Sequence, residues 1–282
     1  MLFHIKHTTR YNYSRTVFCD PFTVRLRPRE DVSQRLLRYQ LSVEPQPAGI
    51  CEYLDVEGNM ATQCWFNSPT CMLSLTVNSV VEITRTNPFD YLLDNAAVEL
   101  PIRYPPEIDA ALYPYRTAAP AGDSSVAHFA EQILAETNCQ TVPFLMALAG
   151  WISKNCRKTI RLQGDPFPAE TTLQTRQGSC RDFAVLFCEA CRCAGLASRF
   201  VSGYQSLSEN NGDRYLHAWS EVFLPGAGWR GFDPGQGVAV ADHHVAIASG
   251  LVPLAAAPTT GTFRGTDASS SMASQVVIRI SS

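Results

Sequence analysis

Two spacings of apolar residues divide the chain. From Leu2 to about Thr86 apolar and polar positions alternate in short runs, Phe3 to His7, Phe22 to Leu26 and Leu36 to Val43. Asp55-Val56-Glu57-Gly58-Asn59 has turn chemistry, and Met60 to Phe66 and the long run Met72 to Ile83 follow it. Period-two alternation puts one set of side chains on each face of a strand, and several such runs separated by turns predict an antiparallel β-sandwich. A Pro-rich stretch then runs through Pro88, Pro101, Pro105, Pro106, Pro114 and Pro120 to Asp123. Proline lacks the N–H that helix interiors and central strands need, so this stretch reads as a connection between two domains.

Beyond it the spacing becomes helical. Val126, Phe129, Ile133 and Leu134 predict a helix starting at Ser124-Ser125, and Phe144, Leu145, Leu148 and Trp151 predict a second over about 142–155. Thr159 to Leu162 reads as a short strand, with a loop from Gln163 to Thr172. The run Phe183 to Phe187, continuing to Ala194 and stopping at Gly195, predicts a buried helix closed by a glycine. Strand-like composition returns at Tyr215 to Val222, Trp229 to Asp233, His243 to Ala248, Leu251 to Ala255 and Gln275 to Ile280. The polar loop Thr266 to Ser274 is expected to border a cleft. The fold class is therefore α+β, with a β-rich domain over 1–115 and a helix-and-sheet domain over 116–282.

A length of 282 residues suits two domains, and an apolar fraction of 45% is ample for packed cores. A formal charge of −3 with scattered basic residues disfavours nucleic acid and anionic membrane as partners. Met1-Leu2-Phe3-His4-Ile5-Lys6-His7 does not read as a secretory signal, and no apolar run has the length of a membrane span, so a cytoplasmic location is expected. The ten cysteines would then be reduced, mostly small core residues.

The candidate chemistry centres on Gln177-Gly178-Ser179-Cys180-Arg181-Asp182. Ser179 is a good N-cap and Asp182 stands at capping-box spacing, which places Cys180 at the first helical position. There unpaired backbone N–H groups and the helix dipole favour a thiolate, the nucleophilic form. Attack on an amide also needs a proton for the leaving nitrogen, and His217 in Leu216-His217-Ala218-Trp219 is the best donor. A hairpin through Pro225-Gly226 would bring Asp233 beside it as the carboxylate that holds the imidazole. Gln177 is a candidate oxyanion donor, with the Cys180 backbone N–H as the alternative. Arg176 is a candidate for docking a substrate carboxylate, against the ordinary reading of a surface ion pair.

This set of motifs, Gly-x-Cys-x-Asp-Phe-Ala at 178–184, His-Ala-Trp-x-Glu-Val at 217–222 and Gly-Trp-x-Gly-Phe-Asp-Pro at 228–234, resembles the transglutaminase-like superfamily, a papain-like thiol-enzyme fold. The bacterial branch described as cysteine proteases is the most similar. Ala197 to Tyr204 resembles the strand that follows its catalytic helix, and His7 to Tyr13 and Val24 to Arg29 resemble its N-terminal domain. The resemblance implies Cys180 as nucleophile, His217 as general acid and base, and Asp233 as orienting carboxylate. Gly235-Gln236 departs from the family's usual Thr-Asn, which changes the polar contacts beside Asp233.

The expected reaction is acyl transfer through a thioester on a peptide or protein amide, with peptidase or amidase activity ahead of transglutaminase activity. A peptide-binding module without catalysis is the alternative. No cofactor and no metal is expected. Cys188 and Cys191 share a helix face and read as core packing, and His243 and His244 point to opposite faces of a strand. His4 and His7 read as ordinary strand residues. Trp151 lies in a predicted helix, a poor place for an oxyanion donor. The oligomeric state is left open.

Overall fold

The computed structural model describes residues 1–117, 124–161, 164–206 and 216–281. Six strands come first: β1 (Leu2–Cys19), β2 (Phe22–Val24), β3 (Gln34–Glu44), β4 (Gly49–Leu54), β5 (Met60–Trp65) and β6 (Thr70–Ile83). Helices α1 (Pro106–Arg116), α2 (Ser125–Glu136) and α3 (Thr141–Asn155) follow. A two-residue strand β7 (Arg157–Lys158), helix α4 (Ala169–Thr175) and strand β8 (Gln177–Gly178) lead into helix α5 (Cys180–Cys193). The second sheet-forming region has β9 (Ser198–Gln205), β10 (His217–Leu224), β11 (Gly228–Asp233), β12 (Val238–Ala239) and β13 (His244–Gly250). The chain closes with β14 (Thr259–Thr260), β15 (Phe263–Arg264) and β16 (Ser270–Ser281).

The fold is α+β, as the alternation and helical spacing predict. Two antiparallel sheets form the sandwich, β15-β1-β6-β3 with β16 on β1, and β14-β2-β5-β4. Along the first half of β1 the buried residues are Phe3, Ile5, His7 and Thr9, the period-two set. Phe3 and Ile5 join Leu73, Leu75 and Val77 of β6 and Phe22 and Val24 of β2 in one apolar interior. That interior continues into Phe200 and Tyr204 of β9, Val245 and Ile247 of β13 and Ala184 of α5. The third sheet, β12-β11-β10-β9-β13, is antiparallel, and Val222, Leu224 and Phe232 face a second core built from the helices.

Several elements differ from expectation. α1 occupies part of the Pro-rich stretch, because Pro106 starts it where no intrahelical N–H is needed and Pro114 lies in its last turn. α4 forms inside and beyond the expected 163–172 loop, again behind a proline, Pro168. Instead of a strand at Thr159–Leu162, pairing is at Arg157–Lys158 with Gln177–Gly178, followed by one bond from Thr159 N–H to the Gly178 carbonyl, and Leu162 lies outside the described residues. Leu251 to Ala255 is not a strand: successive turns run through it, with Ala255 N–H bonded to Val252 and Ala256 N–H to Pro253. Pro253 lacks the donor that a ladder would use. β16 begins earlier than expected and pairs with β1 from Leu2↔Ser281 to Tyr13↔Ser270, so the last strand, counted with the 116–282 segment, lies in the first sheet. Among the described residues no helix is long and apolar enough to cross a membrane.

Polar side chains fasten the sandwich to the third sheet. β13 is that sheet's edge strand, and edge strands leave main-chain groups unpaired. Gln34 supplies both partners at Ala246, donating to its carbonyl at 2.9 Å and accepting from its N–H at 2.8 Å. Asn59 does the same at Ser249, at 2.7 and 2.8 Å. Glu221 on β10 accepts from Arg29 at 3.1 and 3.2 Å and from Arg199 at 2.7 Å. Burial alone would raise the Glu221 pKa, but the two guanidiniums outweigh it and hold it at about 2, below the ordinary 4.5. Its ionised form therefore contributes stability that is full above about 4.5 and fades as pH falls toward about 2. We predict that Glu221→Gln lowers unfolding free energy at neutral pH by about 3 kcal/mol, since it leaves buried Arg199 without its carboxylate and Arg29 with Asp31 alone. In chemical denaturation the gap between wild type and variant should narrow as pH drops through that window.

Candidate active site

Cys180 is the first residue of α5. Ser179 caps the helix in extended conformation, and its N–H donates to the Asp182 carboxylate at 2.6 Å, completing the capping box. The Ser179 hydroxyl donates to the same oxygen at 2.7 Å, and Arg161 and the Phe167 N–H donate to the other. Asp182 is fully buried, so these donors replace water and lock the turn that presents the cysteine. Gly178 cannot be replaced cheaply, because a Cβ there would stand 2.8 Å from the Asp182 Cβ.

His217 opens β10 and Asp233 ends β11. His217 Nε2 lies 2.7 Å from Asp233 Oδ2, which leaves Nδ1 for the sulfur, and the Cys180 thiol is hydrogen-bonded to this ring. The Ala218 N–H also reaches the sulfur. Asp233 is fully buried and accepts two further bonds, from Gly235 N–H to Oδ1 at 2.8 Å and from His244 Nε2 to Oδ2 at 3.0 Å. The Gly235 donor is a backbone group, so the departure from Thr-Asn at 235–236 leaves this contact in place.

The charges reinforce one another. Burial alone would raise the Cys180 pKa, but the hydrogen bond and charge of His217, with the Ala218 N–H, outweigh it and lower the pKa. Burial opposes the charged form of His217, yet the Asp233 carboxylate and then the sulfur raise it to about 10. Burial opposes ionisation of Asp233, and His217 and His244 hold it far below the usual carboxylate range. His244 is shifted the other way: burial lowers its pKa by more than Asp233 raises it, so it is neutral near pH 7. Both shifts run toward a thiolate facing an imidazolium, and a thiolate is the form that attacks carbonyl carbon.

The thiol opens into a cleft of about 310 Å³. Arg161, Asp165 and Arg181 form one side, and Phe200, Leu216, Leu254 and Met272 supply apolar walls. Thr9 and Ser274, paired neighbours on β1 and β16, also line it, so the 266–274 segment borders the cleft as expected.

Cys180, His217 and Asp233 are thus brought together, whereas the two expected substrate-contacting residues lie elsewhere. Arg176 is exposed, caps α4 in the left-handed region and sits over the Trp151 ring at 5.4 Å. Gln177 accepts from Arg157 through its side-chain oxygen at 2.8 Å. Neither lines the cleft. Trp151 packs on Phe129 in the helical layer, and Cys188 and Cys191 are buried core thiols. The strand expected from His243 starts one residue later, so His243 lies in the preceding turn and bonds the Ser206 hydroxyl at 2.9 Å, while His244 turns inward to Asp233. The Asp233 contact of His244 was not anticipated. His217, Asp233 and His244 have ligand atoms within 4.8 Å of one another, close enough for a metal ion, but each imidazole Nε2 already faces Asp233 as a hydrogen-bond donor.

A cysteine heading a buried helix, packed on an antiparallel sheet that carries histidine and aspartate at its strand ends, defines a transglutaminase-like cysteine protease fold. The chain belongs to the transglutaminase-like superfamily: residues 127–234 match that superfamily, and residues 3–82 match the bacterial transglutaminase-like N-terminal region. An uncharacterized protein of Mycobacterium tuberculosis is 25% identical over 280 residues, covering 88% of this chain and 83% of that one. A segment of 72 residues is 38% identical to part of a protein-glutamine gamma-glutamyltransferase of Pseudomonas aeruginosa, 23% of this chain and 11% of that one. A solved candidate cysteine protease of Cytophaga hutchinsonii has the same fold, with TM-score 0.71 and 21% identity, covering 100% of this chain and 92% of that chain.

Exposed Cys51, Cys71 and Cys139 serve as internal references for the reactivity of Cys180. At about pH 6, where an ordinary thiol is almost wholly protonated, iodoacetamide should modify Cys180 first. His217→Ala should slow that modification about a hundredfold, as read by peptide mass mapping over time.

Proposed function

We propose that this protein is a cysteine-dependent amide hydrolase or acyl transferase working through Cys180, His217 and Asp233, with hydrolysis of a peptide or protein amide as its main outcome. One observation carries the reading: the thiol at the α5 N-terminus is hydrogen-bonded to an imidazole whose other nitrogen is 2.7 Å from a buried carboxylate. In the first half-reaction the Cys180 thiolate adds to the amide carbonyl, and the carbonyl oxygen takes the negative charge. The C–N bond then breaks as His217 gives the Nδ1 proton to the leaving amine, and a thioester remains on Cys180. In the second half-reaction neutral His217 takes a proton from water, the hydroxide adds to the thioester, and the acid departs as the thiolate reforms. The Cys180 backbone N–H at the helix start is the preferred oxyanion donor, since Gln177 does not line the cleft.

A primary amine can replace water in the second step, which would make the protein a transglutaminase. The segment similar to the Pseudomonas glutamyltransferase favours keeping that reading second. Hydrolysis stands first because Cys180 is partly exposed to an open cleft and water reaches a thioester there. A reducing, cytoplasmic compartment is part of the proposal, supported by ten free cysteines.

The test is product analysis on a library of peptides carrying glutamine and unmodified amide ends, with and without an added primary amine. Free acid should be the main product in both arms, and Cys180→Ala should abolish it. Acyl groups recovered mainly on the amine would replace the hydrolase with a transglutaminase, and no Cys180-dependent product in either arm would favour a peptide-binding module.

A further inference from the structure

His244 opens β13 and is 4% exposed. Its Nε2 points at Asp233 Oδ2, the same oxygen that accepts from His217. Its Nδ1 is buried with no hydrogen-bond partner among the described residues. The side chain's one hydrogen bond is therefore to Asp233. Burying an imbalanced imidazole costs free energy, and a purely packing role would be met at lower cost by an apolar side chain. The ionised carboxylate can only accept, so Nε2 carries the hydrogen and Nδ1 the lone pair.

A neutral donor suits this place. It stabilises the Asp233 charge and fixes the rotation of the carboxylate, yet it puts no second cation beside the imidazolium of His217. The Gly235 N–H holds the opposite oxygen, so the two contacts clamp the carboxylate from both sides. The groups facing the ring fit this role. His217 lies 6.1 Å away and the Trp219 ring meets it edge-on at 5.2 Å. Adjacent His243 turns to Ser206, and of the charges on the cavity behind His244, Glu221 pairs with Arg29 and Arg199 and Asp31 pairs with Arg29, while Arg85 also lines it.

We infer that His244 is a positioning residue for the Cys180 and His217 pair, acting through the hydrogen bond by which it clamps Asp233. The inference rests on the catalytic reading of Cys180 given above. Its test is the pH profile of Cys180 alkylation by iodoacetamide in the full chain, beside the thermal unfolding midpoint. His244→Leu removes the donor, and His244→Phe removes it while keeping a ring against Trp219 should the first variant not fold. Either deletion should move the fall in alkylation rate upward by about one pH unit, making the reaction about tenfold slower at about pH 6. His244→Gln, whose amide N–H can reach Oδ2, should recover the rate to within about threefold of wild type. A profile unmoved in folded deletion variants, with only the unfolding midpoint lowered, overturns the inference, as does a folded glutamine variant without recovery. Both of those leave the catalytic reading standing if wild-type Cys180 outpaces Cys51. A wild-type Cys180 no faster than Cys51 removes the catalytic reading and this one with it.

Discussion

A negative charge with no access to water governs the second half of this molecule. Asp233 is fully buried, and an ionised carboxylate in that position is tolerated only where donors replace its hydration. Its donors come from three separate segments: His217 at the start of β10, His244 at the start of β13 and Gly235 in the turn after β11. In the sheet order, β10 and β9 stand between β11 and β13, so the connection from 234 to 243 has to carry the chain across the end of the sheet. The arrangement that satisfies the carboxylate also places the imidazole at the thiol. Stability and chemistry are therefore coupled at one oxygen atom.

The sandwich is more than an appendage to that sheet. Gln34 and Asn59 bind the main chain of β13 as a neighbouring strand would, and Ala246, which Gln34 holds, is two residues from His244. Arg29 reaches Glu221 on β10, and buried His7 on β1 bonds the Tyr204 hydroxyl on β9 at 3.0 Å. His7 is kept neutral by burial, with a pKa lowered to about 4, so this contact is a bond between uncharged partners. These side chains tie the N-terminal strands to the two sheet strands nearest the site and to its edge.

Local signals in the sequence were strong where the structure is local. Ser179 and Asp182 announced the helix start, and the alternation along β1 and β6 announced the sandwich. Order along the chain, Cys180 then His217 then Asp233, was readable through motifs, but their convergence depends on sheet pairing that no short window contains. The shared carboxylate oxygen is legible only in three dimensions, because His244 and His217 are brought to it from strands that are not neighbours. Arg176 and Gln177 were drawn to the cleft by nearness in sequence to Cys180. Their backbone instead turns through a left-handed residue and a short parallel pairing, which sends them to Trp151 and Arg157. The prolines misled in the other direction, since Pro106 and Pro168 begin helices rather than preventing them.

One wall of the cleft is assembled from residues far apart along the polypeptide, Thr9 facing Ser274 across the ladder between β1 and β16. A ribosome makes the second of these long after the first. While β16 is still in the exit tunnel, the sulfur, the imidazole and the carboxylate can already be outside, but the groove beside them lacks a side. The nascent chain thus exposes the Cys180 sulfur before the wall that β16 supplies is in place.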